Sequence, residues 1–389
     1  MVGVFIITSA LVYAAYASAA ACPRLPNPLP TVDGLPSIPT LPDPWTFFDG
    51  TPLRSPADWA CRREEVLTLV QQYFYGYYPD HSKEERVHAS RNGTTLNISV
   101  SVGNRTGTFN ATLTFPNGTT RFRPVPVMIN TGGVNETVFL GSGVALATFD
   151  VDSVAADSTT PGGAFWDLYS GEDIGVLTAW AWGYHRIMDA IIDKVPEIDP
   201  QRFGVTGCSR WGKAALAAGI FDERVALSIP MSSGLEGIGP WRFFFEEDGA
   251  NEMIQNIFGY APYWSTSRLG QFVPNVTNLP FDAHLHAALV APRAIVWDEG
   301  EIDYWTNPEG EASVTFPAAH AVYEWLGAGD RVGVAIRPGD HCDISGYTNI
   351  QDFMNKIFFN EKITRNYSDI SPYTPYTEAF PWINDAPGK

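Results

Sequence analysis

The sequence predicts an α/β protein with a mostly parallel sheet, helices on both faces and a single domain. Short apolar segments of strand character alternate with helical segments from about residue 124 to residue 359. These strand segments are continuously apolar, which is typical of strands buried on both faces of a parallel sheet. Hydrophobic residues make up 45% of the 389 residues, a composition that supports a large core and excludes a disordered chain.

Each element follows from the local pattern. Residues 59–75 have helical apolar spacing, and residues 97–115 are predicted to form two short strands that turn at 102–104. The alternating part supplies strands at 124–130, 144–151, 203–207, 225–230, 293–297 and 332–337. It supplies helices at 173–193, 210–220, 282–290, 314–326 and 350–359. A helix between consecutive strands is the connection that parallel strands usually require.

The N-terminal segment indicates secretion. Residues 1–19 form an apolar stretch that ends in Ala17-Ser18-Ala19, a small-x-small pattern typical of signal-peptide cleavage. Many Asn-x-Ser/Thr sequons, crowded between 92 and 119, predict a glycosylated surface on a secreted, extracellular protein. The sequon asparagines are Asn92, Asn97, Asn104, Asn110, Asn117, Asn135, Asn275 and Asn366. A proline-rich stretch then predicts an extended arm over residues 20–57, lying on the domain at 58–389.

Charge and cysteine usage exclude several classes of partner. The formal net charge is −18, so phosphate-rich nucleic acid and anionic membrane surfaces would repel the protein. The four cysteines, Cys22, Cys61, Cys208 and Cys342, fit an oxidising compartment and allow three disulfide pairings. None has the CxxC spacing of a zinc site, and no dinucleotide fingerprint is present. We therefore expect no metal, no cofactor, no membrane partner and a monomer.

A strand, a sharp turn and a helix follow one another within residues 203–220. Ser209 lies at the turn, with Gly207 two residues before it, as in a nucleophile elbow that lifts a serine hydroxyl above the sheet edge. The first N–H groups of the helix would then face a developing oxyanion. The usual elbow has glycine two residues after the serine, and here that residue is Trp211. The alternative is a serine that only caps the helix.

A phosphate-binding loop is the competing interpretation of the same turn. Gly207 to Lys213 fits the GxxxxGK spacing, but Ala214 stands where a hydroxyl should hold magnesium. Trp211 is also bulky for a loop that cradles phosphate. We therefore favour the elbow.

A serine nucleophile needs a base, and in this topology the histidine follows it in the chain. Of the later histidines, His284, His286 and His320 lie in helical segments, whereas His341 follows the strand at 332–337. A disulfide between Cys208 and Cys342 would hold the Ser209 and His341 loops together, with Cα atoms about 5.5 Å apart. We infer this pairing, and with it Cys22–Cys61.

The segment Gly-Cys-Ser-Arg-Trp-Gly-Lys around Ser209 resembles the G-C-S-R-x-G-K signature of glucuronoyl esterases, carbohydrate esterase family 15. Stretches at 59–79, 177–191, 279–311 and 339–342 are similar to blocks of that family in the same order. The resemblance implies an α/β-hydrolase fold for the catalytic domain. It also implies a serine esterase that cleaves esters between 4-O-methyl-glucuronic acid branches of xylan and lignin alcohols.

Site residues carried over from the resemblance divide into two groups. The catalytic group is Ser209 as nucleophile, His341 as general base and Arg210 as a side chain that holds the oxyanion. The sugar-binding group is Lys213, Glu252 and Trp305. Without the resemblance, Lys213 would be interpreted as a solvated helix lysine.

The catalytic acid departs from the family pattern. Many members place a glutamate after the strand that follows the elbow helix, and here that position is Ser232. Other members use a carboxylate after the next strand, which makes Asp303 the first candidate and Glu301 the alternative. Glu236, Asp298 or the absence of a working acid remain open, and the acidic residues of 298–303 would also fit a solvated loop.

Two other functions remain open beside the glucuronoyl esterase. One is an esterase acting on another cell-wall carbohydrate ester such as acetyl-xylan. The other is a non-catalytic saccharide-binding relative that has lost its acid at position 232.

Overall fold

The computed structural model describes residues 22–79, 85–245 and 252–388, so the predicted signal peptide at 1–19 lies outside the described residues. Within those ranges, nine strands form one sheet. The strands are β1 Glu85–Asn92, β2 Thr95–Val102, β3 Arg105–Thr114, β4 Val125–Asn130, β5 Ala145–Phe149, β6 Ile198–Cys208, β7 Val225–Met231, β8 Ala294–Gly300 and β9 Val332–Arg337. Every strand that the sequence predicted is present.

Helices connect and cover these strands. They are α1 Trp59–Val70, α2 Glu136–Gly141, α3 Val151–Val154, α4 Ala164–Tyr169, α5 Val176–Lys194, α6 Arg210–Phe221, α7 Ile254–Tyr260, α8 Ala283–Val290, α9 Pro308–Gly310, α10 Phe316–Trp325, α11 Gly346–Asn349 and α12 Gln351–Phe359. Two π-turns extend helices, Gln71–Tyr75 after α1 and Glu311–Thr315 before α10. Short 3-10 turns occur at Val32–Gly34, Pro56–Asp58, Ser267–Phe272, Val276–Asn278, Gly329–Arg331 and Thr377–Ala379.

The sheet runs in the order β1-β2-β3-β5-β4-β6-β7-β8-β9. β1, β2, β3 and β5 pair in antiparallel fashion, and β5, β4, β6, β7, β8 and β9 pair in parallel. The carboxyl ends of the parallel strands therefore meet at one edge. Loops after β6, β7, β8 and β9 lie side by side there, which is where α/β sheets place their ligand sites.

Alternate residues of the central strands feed two separate cores. In β4, Val127 and Ile129 pack on one face with α5 and α6, whereas Met128 packs on the other face against Met354 and Phe358 of α12. Both faces are apolar because a strand in the middle of a two-sided sheet has no solvent face. This explains why continuous apolar segments of the sequence predicted these strands.

The strand β1 was not predicted. Its sequence carries charged and polar residues, and only Ala89 is fully buried along its length. β1 is an edge strand paired only with β2, so its solvent-facing residues dilute the apolar signal.

The proline-rich segment lies over the domain as an extended arm. Leu41 and Trp45 pack with Trp382 near the C-terminus in a third apolar cluster. The indole of Trp382 donates to the Leu41 carbonyl at 2.8 Å, and Trp45 returns a bond to the Trp382 carbonyl at 3.3 Å. Cys22 is bonded to Cys61, which anchors the start of the arm to α1, as predicted.

The surface carries the predicted sequons. Seven of the eight asparagines are exposed, and Asn135 is half-buried. Asn97 of β2 lies directly opposite Asn110 of β3, so both point to the outer face of the antiparallel part. As for membranes, none of the helices in the described ranges has both the length and the apolarity to cross one.

Candidate active site

Ser209 lies between β6 and α6 in a backbone conformation that non-glycine residues rarely adopt, with φ 59° and ψ −130°. The turn is tight enough that a Cβ on Gly207 would meet the Trp211 carbonyl at 2.5 Å. A Cβ on Gly212 would meet the Met231 carbonyl at 2.8 Å, so the close approach of helix to sheet occurs at Gly212. This explains how Trp211 is tolerated where the usual elbow has glycine. The strained turn holds the Ser209 hydroxyl at the sheet edge.

His341 is brought to Ser209 by a disulfide. Cys208 and Cys342, the chain neighbours of the two residues, are bonded with their Cα atoms 5.7 Å apart, as predicted. Ser232 supports the same loop, since its hydroxyl accepts the Cys342 N–H at 3.4 Å. Cys208, His341 and Cys342 also lie within metal-binding distance of one another, but the two sulfurs bond to each other instead.

Asp303 contacts the histidine from the loop after β8. Its carboxylate oxygens lie 2.7 and 3.0 Å from His341 Nδ1, and its side chain is fully buried. The backbone N–H of Trp305 donates to the same carboxylate at 2.9 Å. Burial would raise the pKa of Asp303, but hydrogen bonds, the first of them from His341, outweigh it and lower that pKa. Asp303 is therefore anionic and accepts a hydrogen bond from His341 Nδ1, so Nε2 is the ring nitrogen remote from Asp303.

The other candidate acids occupy different positions. Asp298 is buried at the other side of β8, where it binds Arg337 at 2.6 Å and Asn349 at 3.1 Å. Glu301 is half-buried, and its backbone N–H pairs with the Arg337 carbonyl. Glu236 is fully buried in the region of Lys213. The interpretation of 298–303 as a solvated loop is wrong, because β8 extends to residue 300 and buries much of it.

Arg210 is held at the start of α6 by groups that the sequence did not indicate. Its Nη1 lies 2.7 Å from Asp157, and its guanidinium lies 5.1 Å from the centre of the Trp264 ring. Asp157 also accepts from the Trp264 indole at 2.9 Å and from the Tyr263 hydroxyl at 3.0 Å. The arginine head is thus fixed beside the elbow, where the first N–H groups of α6 lack partners within the helix.

These residues line a cavity of about 660 Å³. Its walls are Cys208, Ser209, Arg210, Trp211, Glu252, Tyr260, Trp264, Trp305, His341 and Cys342. The cavity combines several aromatic rings with a small number of polar groups, which is the composition of a small-molecule site. Trp305 is 56% exposed and presents its ring at the rim.

Lys213 lies below the cavity and not among its lining residues. Its side chain is 1% exposed, and Nζ donates to the Ser233 and Leu235 carbonyls and to Glu252 at 2.9 Å. The interpretation of Lys213 as a solvated lysine is therefore wrong. In this arrangement Lys213 acts on the cavity through Glu252, whose other oxygen accepts from the Tyr260 hydroxyl at 3.1 Å.

A glycine makes room for this contact. A Cβ on Gly234 would meet Oε2 of Glu252 at 2.0 Å, and Gly234 has φ +52°. Any side chain there would displace the carboxylate that Lys213 holds at the cavity wall.

Comparison with known proteins identifies the family. The family described as fungal glucuronyl esterase matches residues 98–327. A 4-O-methyl-glucuronoyl methylesterase of Schizophyllum commune is 37% identical over 373 residues, covering 92% of this chain and 92% of that protein. The chain belongs to the glucuronoyl esterase family. It is accordingly a carboxylic ester hydrolase.

Solved glucuronoyl esterase structures share the fold. A family 15 glucuronoyl esterase from Caldicellulosiruptor kristjansonii is 38% identical with a TM-score of 0.81, covering 87% of this chain and 95% of its own. A serine-to-alanine variant from Sporotrichum thermophile, in complex with methyl 4-O-methyl-β-D-glucopyranuronate, is 29% identical with a TM-score of 0.80, covering 91% and 96%. The predicted single-domain α/β-hydrolase fold is confirmed.

In this glucuronoyl esterase, sequence reasoning missed two residues that shape the site. Asp157 anchors Arg210, and Tyr260 binds Glu252. Both lie in loops or short helices remote in sequence from any motif, so no local signal marks them. Their position is apparent only in the fold, where Asp157 contacts Tyr263 and Trp264.

Buried acids make the stability of this glucuronoyl esterase depend on pH. Burial raises the pKa of Glu236 to about 8, despite the nearby Lys213. A folded pKa above the unfolded one contributes stability that is full below about pH 4.5 and lost as pH rises through 8. We expect the contribution of Glu236 to the free energy of unfolding to fall between pH 5 and pH 8, by about 1.4 kcal/mol for each unit by which the pKa is raised.

The measurement is thermal or urea unfolding across that pH range. Glu236→Gln should remove this contribution, so that the free energy of unfolding of wild type minus that of the variant falls toward pH 8, whereas Glu172→Gln, at an exposed carboxylate, should show no such pH-dependent difference. A Glu236→Gln variant whose stability depends on pH as wild type does would contradict the assignment.

Proposed function

We propose that the protein is a secreted serine esterase that hydrolyses the ester between 4-O-methyl-D-glucuronic acid of glucuronoxylan and lignin alcohols. The observation that carries the proposal is the contact of Asp303 with Nδ1 of His341, a residue that lines one cavity together with Ser209. The relatives named above support the uronic ester as substrate, and the paired cysteines and exposed sequons support secretion.

Ser209 attacks the C6 carbonyl of the uronate ester. His341 removes the hydroxyl proton through Nε2, and Asp303 stabilises the imidazolium that forms. The backbone N–H groups at the start of α6 and the Arg210 guanidinium stabilise the oxyanion, because both are fixed before the charge develops. Holding these donors in advance avoids reorganisation during the reaction.

The alcohol leaves with the proton held by His341, and the glucuronoyl group remains on Ser209 as an acyl-enzyme. Water then attacks the same carbonyl, with His341 as base once more. The second step restores the Ser209 hydroxyl and releases the glucuronic acid branch, still attached to its xylan chain, with a free carboxyl group.

Glu252 and Trp305 provide the contacts for the sugar ring. The Trp305 indole offers a flat apolar face at the rim, and such faces pack against sugar rings. The Glu252 carboxylate, held by Lys213 and Tyr260, accepts hydrogen bonds from sugar hydroxyls. Lys213 also balances the Glu252 charge, so the cavity binds a neutral ester without excess negative charge.

Glu252→Gln tests the sugar contact separately from the chemistry. Loss of a charged acceptor costs about 1.5–3 kcal/mol, so kcat/KM on methyl 4-O-methyl-glucuronate should fall roughly 10- to 100-fold. The rate on p-nitrophenyl acetate, which has no sugar hydroxyls, should stay within about twofold of wild type. Equal losses on both substrates would show that Glu252 serves the fold or the chemistry instead.

The proposed substrate is tested by the ratio of rates on methyl 4-O-methyl-glucuronate and acetylated xylan. We expect clear turnover of the first and little of the second, because only in the uronate ester is the sugar the acyl part that Glu252 and Trp305 would hold while Ser209 attacks its carbonyl. Preference for acetylated xylan would favour an acetyl esterase. Saccharide binding without turnover of either ester would favour a non-catalytic relative.

A further inference from the structure

A second group of carboxyl groups lies behind Asp303, and the mechanism above does not use it. Glu299, near the end of β8, and Glu311, in the π-turn before α10, are fully buried, as is Asp303. Neither glutamate lines the cavity. Burying three carboxylates in one region destabilises the folded protein unless protons or cations neutralise their charges.

Glu299 is the middle member of the group. Its Oε1 accepts from the Thr306 hydroxyl at 2.9 Å and from the Gly300 N–H at 3.2 Å. Its carboxyl group is also within hydrogen-bonding reach of the carboxyl groups of Asp303 and Glu311. Oε2 has no N–H or hydroxyl donor among the described residues. Another carboxyl group is therefore the remaining neighbour for that oxygen.

Glu311 closes the group on the side away from His341. Its Oε1 accepts from the Gly234 N–H at 3.1 Å, and its Oε2 likewise has no N–H or hydroxyl donor in the described part of the chain. Lys213 is the cation that acts on Glu311, but its ammonium group is bound to Glu252 and two carbonyls. Lys213 is thus occupied elsewhere, and the cluster is short of positive charge.

Two carboxyl groups form a hydrogen bond with each other only when one of them holds a proton. Burial, together with the charges of Glu311 and Asp303, raises the pKa of Glu299 well above its usual value. Burial opposes ionisation of Asp303 too, but hydrogen bonds from His341 and Glu299 lower its pKa. Burial also raises the pKa of Glu311 to about 8, so at pH 7 both glutamates hold a proton and the negative charge resides on Asp303.

We propose that Glu299 is a positioning residue of the esterase reaction, a neutral carboxylic acid that donates its O–H to Asp303. The inference rests on the proposed roles of Ser209, His341 and Asp303. With Glu299 in place, Asp303 is fixed by three donors: the His341 ring, the Trp305 backbone and the Glu299 carboxyl. An orienting carboxylate fixed in this way keeps the imidazole in the reactive tautomer.

The titratable and charged groups around Glu299 set the pH at which it loses its proton. Asp303 and Glu311 contact it directly, and Lys213 and His341 act on these two partners. The Asp298–Arg337 pair lies on the opposite face of β8. Loss of the proton would remove a donor from Asp303 and place a second negative charge against it. Activity should therefore decline when Glu299 ionises.

Two substitutions of Glu299 distinguish its role as a hydrogen-bond donor from its ability to ionise. Glu299→Gln keeps a donor of the same shape and cannot ionise, so kcat at pH 6 should stay within about threefold of wild type. Glu299→Met removes the donor, and kcat should fall up to roughly 10²-fold with little change in KM, since misplacement of a supporting group acts on the chemistry. Rescue by glutamine is a result that a merely structural role would not give.

The pH profile gives a second readout. In Glu299→Gln the alkaline limb of kcat should move to higher pH, because no proton is left to lose at that position. Glu301→Gln is the control, because it makes the same change on the adjoining loop, outside the buried cluster. The alkaline limb of its kcat profile should lie at the same pH as in wild type. An inactive Glu299→Gln variant, an active Glu299→Met variant or an unmoved alkaline limb would each overturn the proposal.

Infrared spectroscopy tests the proton without any substrate. The carbonyl band of protonated carboxyl groups at pH 7 should lose intensity in Glu299→Gln and not in Glu301→Gln. No loss of intensity would overturn the proposal even if Glu299→Met failed to fold. Failure of the proposed function would give a different result. The wild-type protein would not hydrolyse methyl 4-O-methyl-glucuronate, but the infrared band of the Glu299 carboxyl group would still be present.

Discussion

Ser209→Ala should abolish hydrolysis of methyl 4-O-methyl-glucuronate while the protein folds normally. Removal of the nucleophile from a serine hydrolase costs about 10⁶ in kcat, and within the described residues Ser209 is the serine that lines the cavity. Alanine is compatible with the turn at φ 59° about as well as serine, so the melting temperature should change little. Steady-state rates and thermal unfolding on the same preparation provide the measurement.

The matched control is Ser345→Ala, an exposed serine on the loop that carries His341. This variant should retain wild-type kcat and KM. Turnover by Ser209→Ala above about a thousandth of the wild-type rate would remove Ser209 from the role of nucleophile, because no other part of the mechanism supplies an acyl acceptor.

Asp303→Asn should lower kcat by about 10⁴ with a smaller change in KM. An amide in place of the carboxylate no longer fixes the Nδ1 proton of His341, so the ring adopts the tautomer whose Nε2 cannot accept the Ser209 proton. The substitution would disturb the contacts of His341 Nδ1 with the two carboxylate oxygens of Asp303, at 2.7 and 3.0 Å. The measurement is kcat on the methyl ester, with circular dichroism to establish that the fold persists.

Glu301→Gln is the control for this variant, since Glu301 was the alternative acid. We expect it to keep near-normal kcat because the described contacts of His341 involve Asp303 and not Glu301. A normal rate in Asp303→Asn, combined with a large loss in Glu301→Gln, would transfer the role of the acid to Glu301.

Much of the fold could be predicted from the sequence because it depends on local patterns of residues. The central strands are continuously apolar, and the turn around Ser209 carries glycines where the backbone needs them. The pairing of Cys208 with Cys342 also followed from sequence position, since each lies next to a residue of the proposed chemistry. Local periodicity and one covalent link thus determined where the site would form.

Other features depend on contacts between distant segments and were not predictable. The acidic stretch after residue 297 is polar in sequence, yet β8 continues through it and buries Asp298 and Glu299. Lys213 has the pattern of a surface lysine, yet it is buried by contacts with the Ser233 and Leu235 carbonyls and with Glu252. Such groups are stabilised by partners from elsewhere in the chain, and local sequence gives no indication of those partners.

The central claim is that His341 and Asp303 activate the Ser209 hydroxyl. Reaction with a fluorophosphonate probe, followed by peptide mass spectrometry, tests it most directly because the probe forms a stable adduct only with an activated serine. We predict a single adduct on Ser209, formed at least a hundredfold more slowly in Asp303→Asn. The absence of an adduct, an adduct on another serine, or equal labelling of both proteins would contradict the account.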